Sequence, residues 1–174
     1  DPKFSSPIPT YLNKRTVEGV ASAVAKHFNF GIGDPVEVIV SGLGGELEYG
    51  WNSLDEVEGG SIVARSFHNF TIFISDLTSP KRDRFTMAHE LGHLFLHLPK
   101  LQEEQQSAVM RATRKIDKSD EIQQRAEWEA NWFAAQLLMP RAEFKDCVST
   151  FGLDHASRVF NVSQQAASVR YSSI

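Results

Sequence analysis

The stretch Arg84 to His97, RFTMAHELGHLFLH, limits what this chain can become more than any other. It sets His89 and His93 four residues apart among Phe85, Ala88, Leu91, Leu94, Phe95 and Leu98, the apolar company of a core helix. Imidazoles in such a place need partners, because a buried polar group without one is costly. The flanks predict a helix opened by Pro80 behind a Ser79 cap and stopped at Pro99. On that helix the two histidines share a face, with Cβ atoms about 5–6 Å apart. Both can then reach one zinc ion at about 2.0–2.1 Å. Glu90 is turned by about 100° from His89. It therefore stands beside the metal instead of on it, where a general base for water is needed. The bland alternative is a pair of hydrogen-bonded structural histidines, and a third ligand downstream would decide against it.

That ligand is offered by Ala126 to Pro140, AEWEANWFAAQLLMP, a run of good helix formers with a proline stop. Turning it at 100° per residue groups Glu127 with Ala130, Asn131, Ala134 and Leu138 and leaves Glu129 at the border, beside Arg125 and Gln136. Glu127 is the better inward-facing carboxylate. Ala130 and Ala134 are small enough to let the two helices approach closely. Two histidines and one glutamate leave a fourth position for water, the arrangement of a catalytic zinc site. Asn131 can accept a hydrogen bond from the Nδ1–H of a ligand histidine and fix its tautomer. His97 continues the row but lies about 12 Å from His89 along the axis, too far for the same ion, so it reads as a helix-end or outer-shell residue.

The two blocks, RFTMAHELGHLFLH followed by EWEANWFAAQLLMP, closely resemble the ImmA/IrrE family of bacterial and phage metallopeptidases, members of the gluzincin group. The resemblance implies a minimal gluzincin-like zinc site of His89, His93 and Glu127, with Glu90 as catalytic acid/base. Zinc is the implied metal, with another divalent ion such as Mn2+ as the alternative. Family members cleave helix-turn-helix repressors of the XRE type and so switch on prophage, mobile-element or stress genes. An XRE-family repressor is accordingly the expected partner.

Upstream, Val17, Val20, Ala21, Val24 and Phe28 recur at helical intervals and predict a helix from Asn13 to Phe28. The β-branched run Val36 to Val40 reads as a strand, Ser41 to Gly45 as a turn, and Glu46 to Trp51 as the strand's partner. Leu54 to Gly60 reads as an exposed acidic loop. Ser61 to Arg65 and Phe70 to Ser75 read as two further strands, with His68 and Asn69 near the turn between them. If Phe70 to Ile74 is a sheet edge beside the metal, the backbone of Thr71, Ile72, Phe73 and Ile74 could hold an extended peptide by strand addition. An ordinary buried strand is the competing reading. Lys100 to Glu121 is polar; within it Gln102 to Lys115 reads as a solvated helix, the alternative being that the whole segment 100–121 is a mobile flap over the cleft.

After the second block, Arg141 to Val148 reads as a short helix, with Cys147 a small buried hydrophobe. Leu153 to Phe160 and Gln164 to Tyr171 form a helix-turn-helix pattern around Asn161-Val162-Ser163, with Ser163 a helix cap. A DNA reader needs phosphate contacts, yet Arg158 and Arg170 are the segment's basic residues and the chain's net charge is −4. Packing, or docking of a repressor, accounts for the pattern better than DNA.

A length of 174 residues suits one domain, so the expectation is a single metallopeptidase domain over 1–174 with 149–174 a small helical subregion. The expected class is α+β, a small, mostly antiparallel sheet packed with helices and a zinc site between two of them. No apolar run approaches the roughly 20 residues that span a bilayer. The opening DPKFSSPIPT lacks the pattern of a signal peptide, and Cys147 is the single cysteine, which suits a reducing cytoplasm. A developing oxyanion would need a donor besides zinc. His155, Tyr49, Tyr171 and His68 are the residues of suitable type. The competing function is a regulatory or toxin-antitoxin-type partner that binds a repressor or DNA without cutting it.

Overall fold

The computed structural model describes residues 4–50, 61–113 and 117–174. Strands β1 (Phe4–Ser5), β2 (Glu46–Tyr49), β3 (Ser61–Ser66), β4 (Asn69–Ile74) and β5 (Val109–Thr113) form one sheet in the order β1-β5-β3-β4-β2. The central strand β3 is antiparallel to β4 and β5, whereas the outer pairs β1–β5 and β2–β4 are parallel. The fold is α+β, and its sheet is mixed, antiparallel at the centre and parallel at both margins. Alternation builds the hairpin: Ile62, Ala64, Phe70, Ile72 and Ile74 are buried on the helix-covered side. Phe67 and His68 make the turn.

Four expectations are corrected here. Val36 to Val40 is not a strand but enters helix α2 (Glu37–Leu43), with Val36, Ile39, Val40 and Leu43 all buried. Their spacing of three, four and seven residues is helical, and that period outweighs the β preference of branched side chains. The helix follows Pro35 and ends on Gly44, whose φ of 82° is the left-handed conformation glycine accepts without strain. β2 therefore pairs with β4, Glu46 to Tyr49 against Thr71 to Ile74, and not with a preceding strand. Second, β4 is not an edge: β2 and β3 flank it, so Thr71, Ile72, Phe73 and Ile74 are not open to strand addition. Third, Gln102 to Lys115 is not one helix. A helix, α4 (Leu98–Glu104), ends there, and β5 follows with Met110 and Ala112 buried between exposed Arg111 and its neighbours. The alternation in Val109 to Thr113 was the signal, masked by the polar residues on either side. Fourth, Pro99 does not stop the first block. It sits in the first turn of α4, where its missing N–H costs nothing. The expected loop at Leu54 to Gly60 lies outside the described residues.

Helix α1 (Lys14–His27), capped by Asn13, buries Val17, Ala21 and Val24 along helix α5 (Glu121–Leu138). Helix α3 (Pro80–Gly92) begins at Ser79, whose hydroxyl accepts from the Arg82 N–H, and passes into a π-helical turn, His93–His97, before α4. α5 begins earlier than expected because Asp120 caps it, accepting from the backbones of Ile122 and Gln123. Helices α6 (Arg141–Phe151), α7 (Leu153–Val159) and α8 (Gln164–Ser172) follow, with Ser163 capping α8. Phe144, Ala156, Phe160, Val162 and Ala167 of this end join the same apolar cluster as the sheet. No helix among the described residues is long and apolar enough to cross a membrane.

Candidate metal centre

α3 and α5 touch at their smallest residues. A Cβ placed on Gly92 would lie 3.1 Å from both the Cα and the carbonyl oxygen of Ala130, and Ala130 and Ala134 are both fully buried. At that separation a glutamate on α5 reaches the histidine face of α3. Glu127 Oε2 lies 2.8 Å from His89 Nε2, and Glu127 Oε1 lies 3.4 Å from His93 Nε2. The ligand atoms of His89, His93 and Glu127 all fall within 4.8 Å of one another and could hold a metal ion. Glu90, 1% exposed, is buried on the same helix.

The opposite ring nitrogens decide whether this donor set suits a metal. His89 Nδ1 is 2.8 Å from Asn131 Oδ1, an acceptor, so that nitrogen carries the proton. His93 Nδ1 is 2.8 Å from His97 Nδ1, and His97 Nε2 is 3.0 Å from Glu129 Oε1. A carboxylate can only accept, so His97 carries its proton on Nε2 and presents a bare Nδ1 to His93. His93 then donates from Nδ1. Both histidines are thereby held as the tautomer whose Nε2 lone pair is directed at Glu127, the state in which imidazole can bind a metal. The residues fit a divalent ion of the zinc type, with two nitrogens and one carboxylate.

The electrostatics agree with that arrangement. Burial pushes the Glu127 carboxyl up, but the His89 and His93 rings that face it outweigh burial and hold it well below the ordinary carboxylate range, so it is the anion that a cation needs. Burial lowers the His97 imidazole to about 4, against the upward pull of its Glu129 hydrogen bond. It is therefore neutral at physiological pH. Glu129 is raised by burial, yet hydrogen bonds led by His97 and the Thr10 backbone bring it down to about 2.

Glu129 is the residue that sequence reasoning misplaced. Rotation of the isolated helix puts it at a polar border; in the fold it is 0% exposed. What covers it is the segment before α1, which no periodicity within α5 can reveal. The i, i+4 pair Arg125 and Glu129, Nε to Oε2 at 2.9 Å, was the available hint that this carboxylate is held.

The four residues weighed as oxyanion donors are scattered. His68 donates from Nδ1 to the Leu43 carbonyl oxygen at 2.8 Å in the β3–β4 turn. Tyr49 lines a cavity with Asp83, Arg84 and Asn161 at the far end of α3. His155 lies against the Phe151 ring at a centroid distance of 4.7 Å on α7, and Tyr171 is on α8. Beside the centre, a groove of about 820 Å³ runs between α3, α5 and α8, lined by Arg82, Phe85, Trp128, Asn131 and Val169 among others. Asn131 belongs to both, since it also holds His89.

Residues 56–172 match the family model of the IrrE N-terminal-like domain, a peptidase family. Among solved structures, a Mycobacterium tuberculosis transcriptional regulator shares the fold, with a TM-score of 0.60 and 14% sequence identity. The match covers 88% of this chain and 45% of that one, so the chain spans less than half of the regulator's length. No curated protein matches the chain.

Proposed function

Because this chain belongs to the IrrE N-terminal-like peptidase family, we propose that it is a zinc-dependent endopeptidase that cleaves a helix-turn-helix repressor of the XRE type. The observation that carries the reading is the convergence of His89 Nε2, His93 Nε2 and the Glu127 carboxylate, with both Nδ1 atoms committed to acceptors behind them. A purely structural zinc site has four protein ligands; among the described residues this cluster has three, which supports an open position for chemistry.

Bound there, zinc supplies Lewis acidity that polarises the scissile carbonyl and eases the deprotonation of water. Glu90 takes the proton of the attacking water and returns it to the departing amine, so the peptide bond breaks with one water consumed. His89, His93 and Glu127 stay fixed throughout, because Asn131, His97 and the close packing of α3 on α5 hold them before substrate arrives. The groove lined by Phe85, Trp128 and Asn131 gives the chain being cut a surface next to the reacting centre.

The likeness to a transcriptional regulator favours a second reading, in which the protein binds a repressor or DNA without cutting. The basic residues of the C-terminal segment do not support DNA contact. Arg170 is 2% exposed and its Nη1 lies 2.9 Å from Glu18 Oε2, while Arg158 is paired with Asp154. Offering the zinc-loaded protein the repressor encoded beside its own gene separates the two readings. Two fragments from one internal cut are expected, and a stable uncut complex would favour the regulator.

A further inference from the structure

Behind His93 the structure continues inward through two buried side chains, His97 and Glu129, and ends on the backbone of the segment preceding α1. His93 Nδ1 meets His97 Nδ1 at 2.8 Å, and His97 Nε2 meets Glu129 Oε1 at 3.0 Å. Glu129 Oε1 also accepts from the backbone N–H and the hydroxyl of Thr10, each at 2.9 Å, and Oε2 accepts from the Tyr11 N–H and from Arg125 Nε, both at 2.9 Å. Arg125 in turn donates from Nη2 to the Leu12 carbonyl at 2.6 Å. His97 and Glu129 are each 0% exposed, so neither side chain exchanges these partners with water. The same segment continues back across the centre. Ser6 and Pro7 wall a small cavity of about 90 Å³ against Glu127 and β5, and Phe4 and Ser5 pair with Val109 and Met110.

We propose that His97 and Glu129 are positioning residues for the metal ligand His93, and that through Glu129 the segment Thr10–Tyr11 is coupled to the metal centre. The proposal rests on the metal reading above and goes beyond it to residues outside the five-residue HExxH motif. Its logic is directional. Glu129 can only accept, which sets His97 with its proton on Nε2; His97 can then only accept at Nδ1, which sets His93 with its proton on Nδ1 and its Nε2 lone pair toward the ion. Removing the relay lets His93 take the other tautomer, in which Nε2 bears a proton and cannot bind. Because coupling is reciprocal, zinc bound at His93 also tightens the hold of Glu129 on the segment.

The experiment uses zinc as the probe and reads no peptidase activity. In protein labelled with 15N at histidine, imidazole NMR of the zinc-loaded wild type should show His93 protonated at Nδ1 and His97 at Nε2. The opposite tautomer at either residue overturns the proposal, and this reading needs no variant to fold. Chelator competition should then show His97→Phe binding zinc about 10–100-fold more weakly than wild type, with His97→Gln, which can accept at one atom and donate at the other, recovering part of the loss. In hydrogen exchange, zinc should slow the Thr10 and Tyr11 amides of the wild type and not those of His97→Phe. Wild-type zinc affinity in folded His97→Phe, or exchange at Thr10 and Tyr11 indifferent to zinc, overturns the proposal while leaving the metal centre standing. A wild type that binds no zinc overturns both.

Discussion

Gly92 of α3 lies directly against Ala130 of α5, so close that a single added methyl group would come within 3.1 Å of two backbone atoms. Those atoms are not the yielding end of a side chain, so the methyl can be accommodated only by moving the helices apart. His93 follows Gly92, and Glu127 lies nearly one turn before Ala130, so the contact sets the span across which a metal would be gripped.

The first prediction follows from that contact. Gly92→Ala should separate α3 from α5, cost about 1–3 kcal/mol of stability as other overpacked cores do, and weaken zinc binding beyond what unfolding accounts for. Thermal melting and chelator competition on the same preparation measure the two effects. An alanine variant with unchanged zinc affinity would mean that the helix spacing does not set the ligand geometry.

A second prediction concerns the pair that ties α1 to the C-terminal helices. Glu18, 4% exposed, meets Arg170 Nη1 at 2.9 Å and Arg141 Nη2 at 2.7 Å. Burial raises the Glu18 carboxyl, but the two guanidiniums outweigh it, so its value in the fold is lower than the ordinary 4.5. With a depressed folded value, the unfolded chain binds the proton first as pH falls. The pair's contribution is therefore complete above about pH 5 and is lost as the pH drops through the folded value. Glu18→Gln leaves Arg170 buried without its counter-charge and should cost about 3–5 kcal/mol at neutral pH. Urea melts at pH 7 and at pH 4 should show the deficit shrinking in acid; a deficit independent of pH would contradict the assignment.

Third, Arg84 acts as a backbone clamp. It is 5% exposed, with Nε and Nη2 donating to the Asp34 carbonyl at 3.2 and 2.8 Å and Nη1 donating to the Phe160 and Asn161 carbonyls, both at 3.1 Å. A lysine ammonium keeps the charge but cannot spread donors across three carbonyls. Arg84→Lys should lose about 1.5–3 kcal/mol while zinc stoichiometry stays that of the wild type. Loss of zinc from a folded Arg84→Lys would show that the clamp reaches the metal centre after all.

How much of this was legible in the sequence depends on whether the deciding contacts are local. His89, His93 and Glu127 could be brought together from two helical wheels because each faces its neighbour at a period that the chain itself writes out. Asn131 sits one turn from Glu127, and its oxygen does lie on His89. The failures occur where a partner distant in sequence decides. Val36 to Val40 carries strand-forming side chains, yet a helical burial pattern and the glycine behind it prevail. β4 reads as open in the sequence because the strand that covers it, β2, is more than twenty residues away and nothing local marks the pairing. Glu129 looked peripheral because the segment around Thr10, more than a hundred residues away, supplies its hydrogen bonds.

The fourth prediction tests the central claim, that this centre hydrolyses a peptide bond with Glu90 moving the proton. Glu90→Gln keeps the side-chain shape and leaves His89, His93 and Glu127 untouched, but an amide cannot take a proton from water. Zinc-loaded wild type and Glu90→Gln should be incubated in parallel with the repressor encoded by the neighbouring gene, with zinc content and intact mass followed together. The expected result is one bound zinc in each protein, two repressor fragments whose masses sum to the parent plus one water with the wild type, and uncut repressor with the variant. Cleavage by zinc-replete Glu90→Gln at the wild-type rate, or an intact repressor after incubation with the zinc-replete wild type, would contradict it.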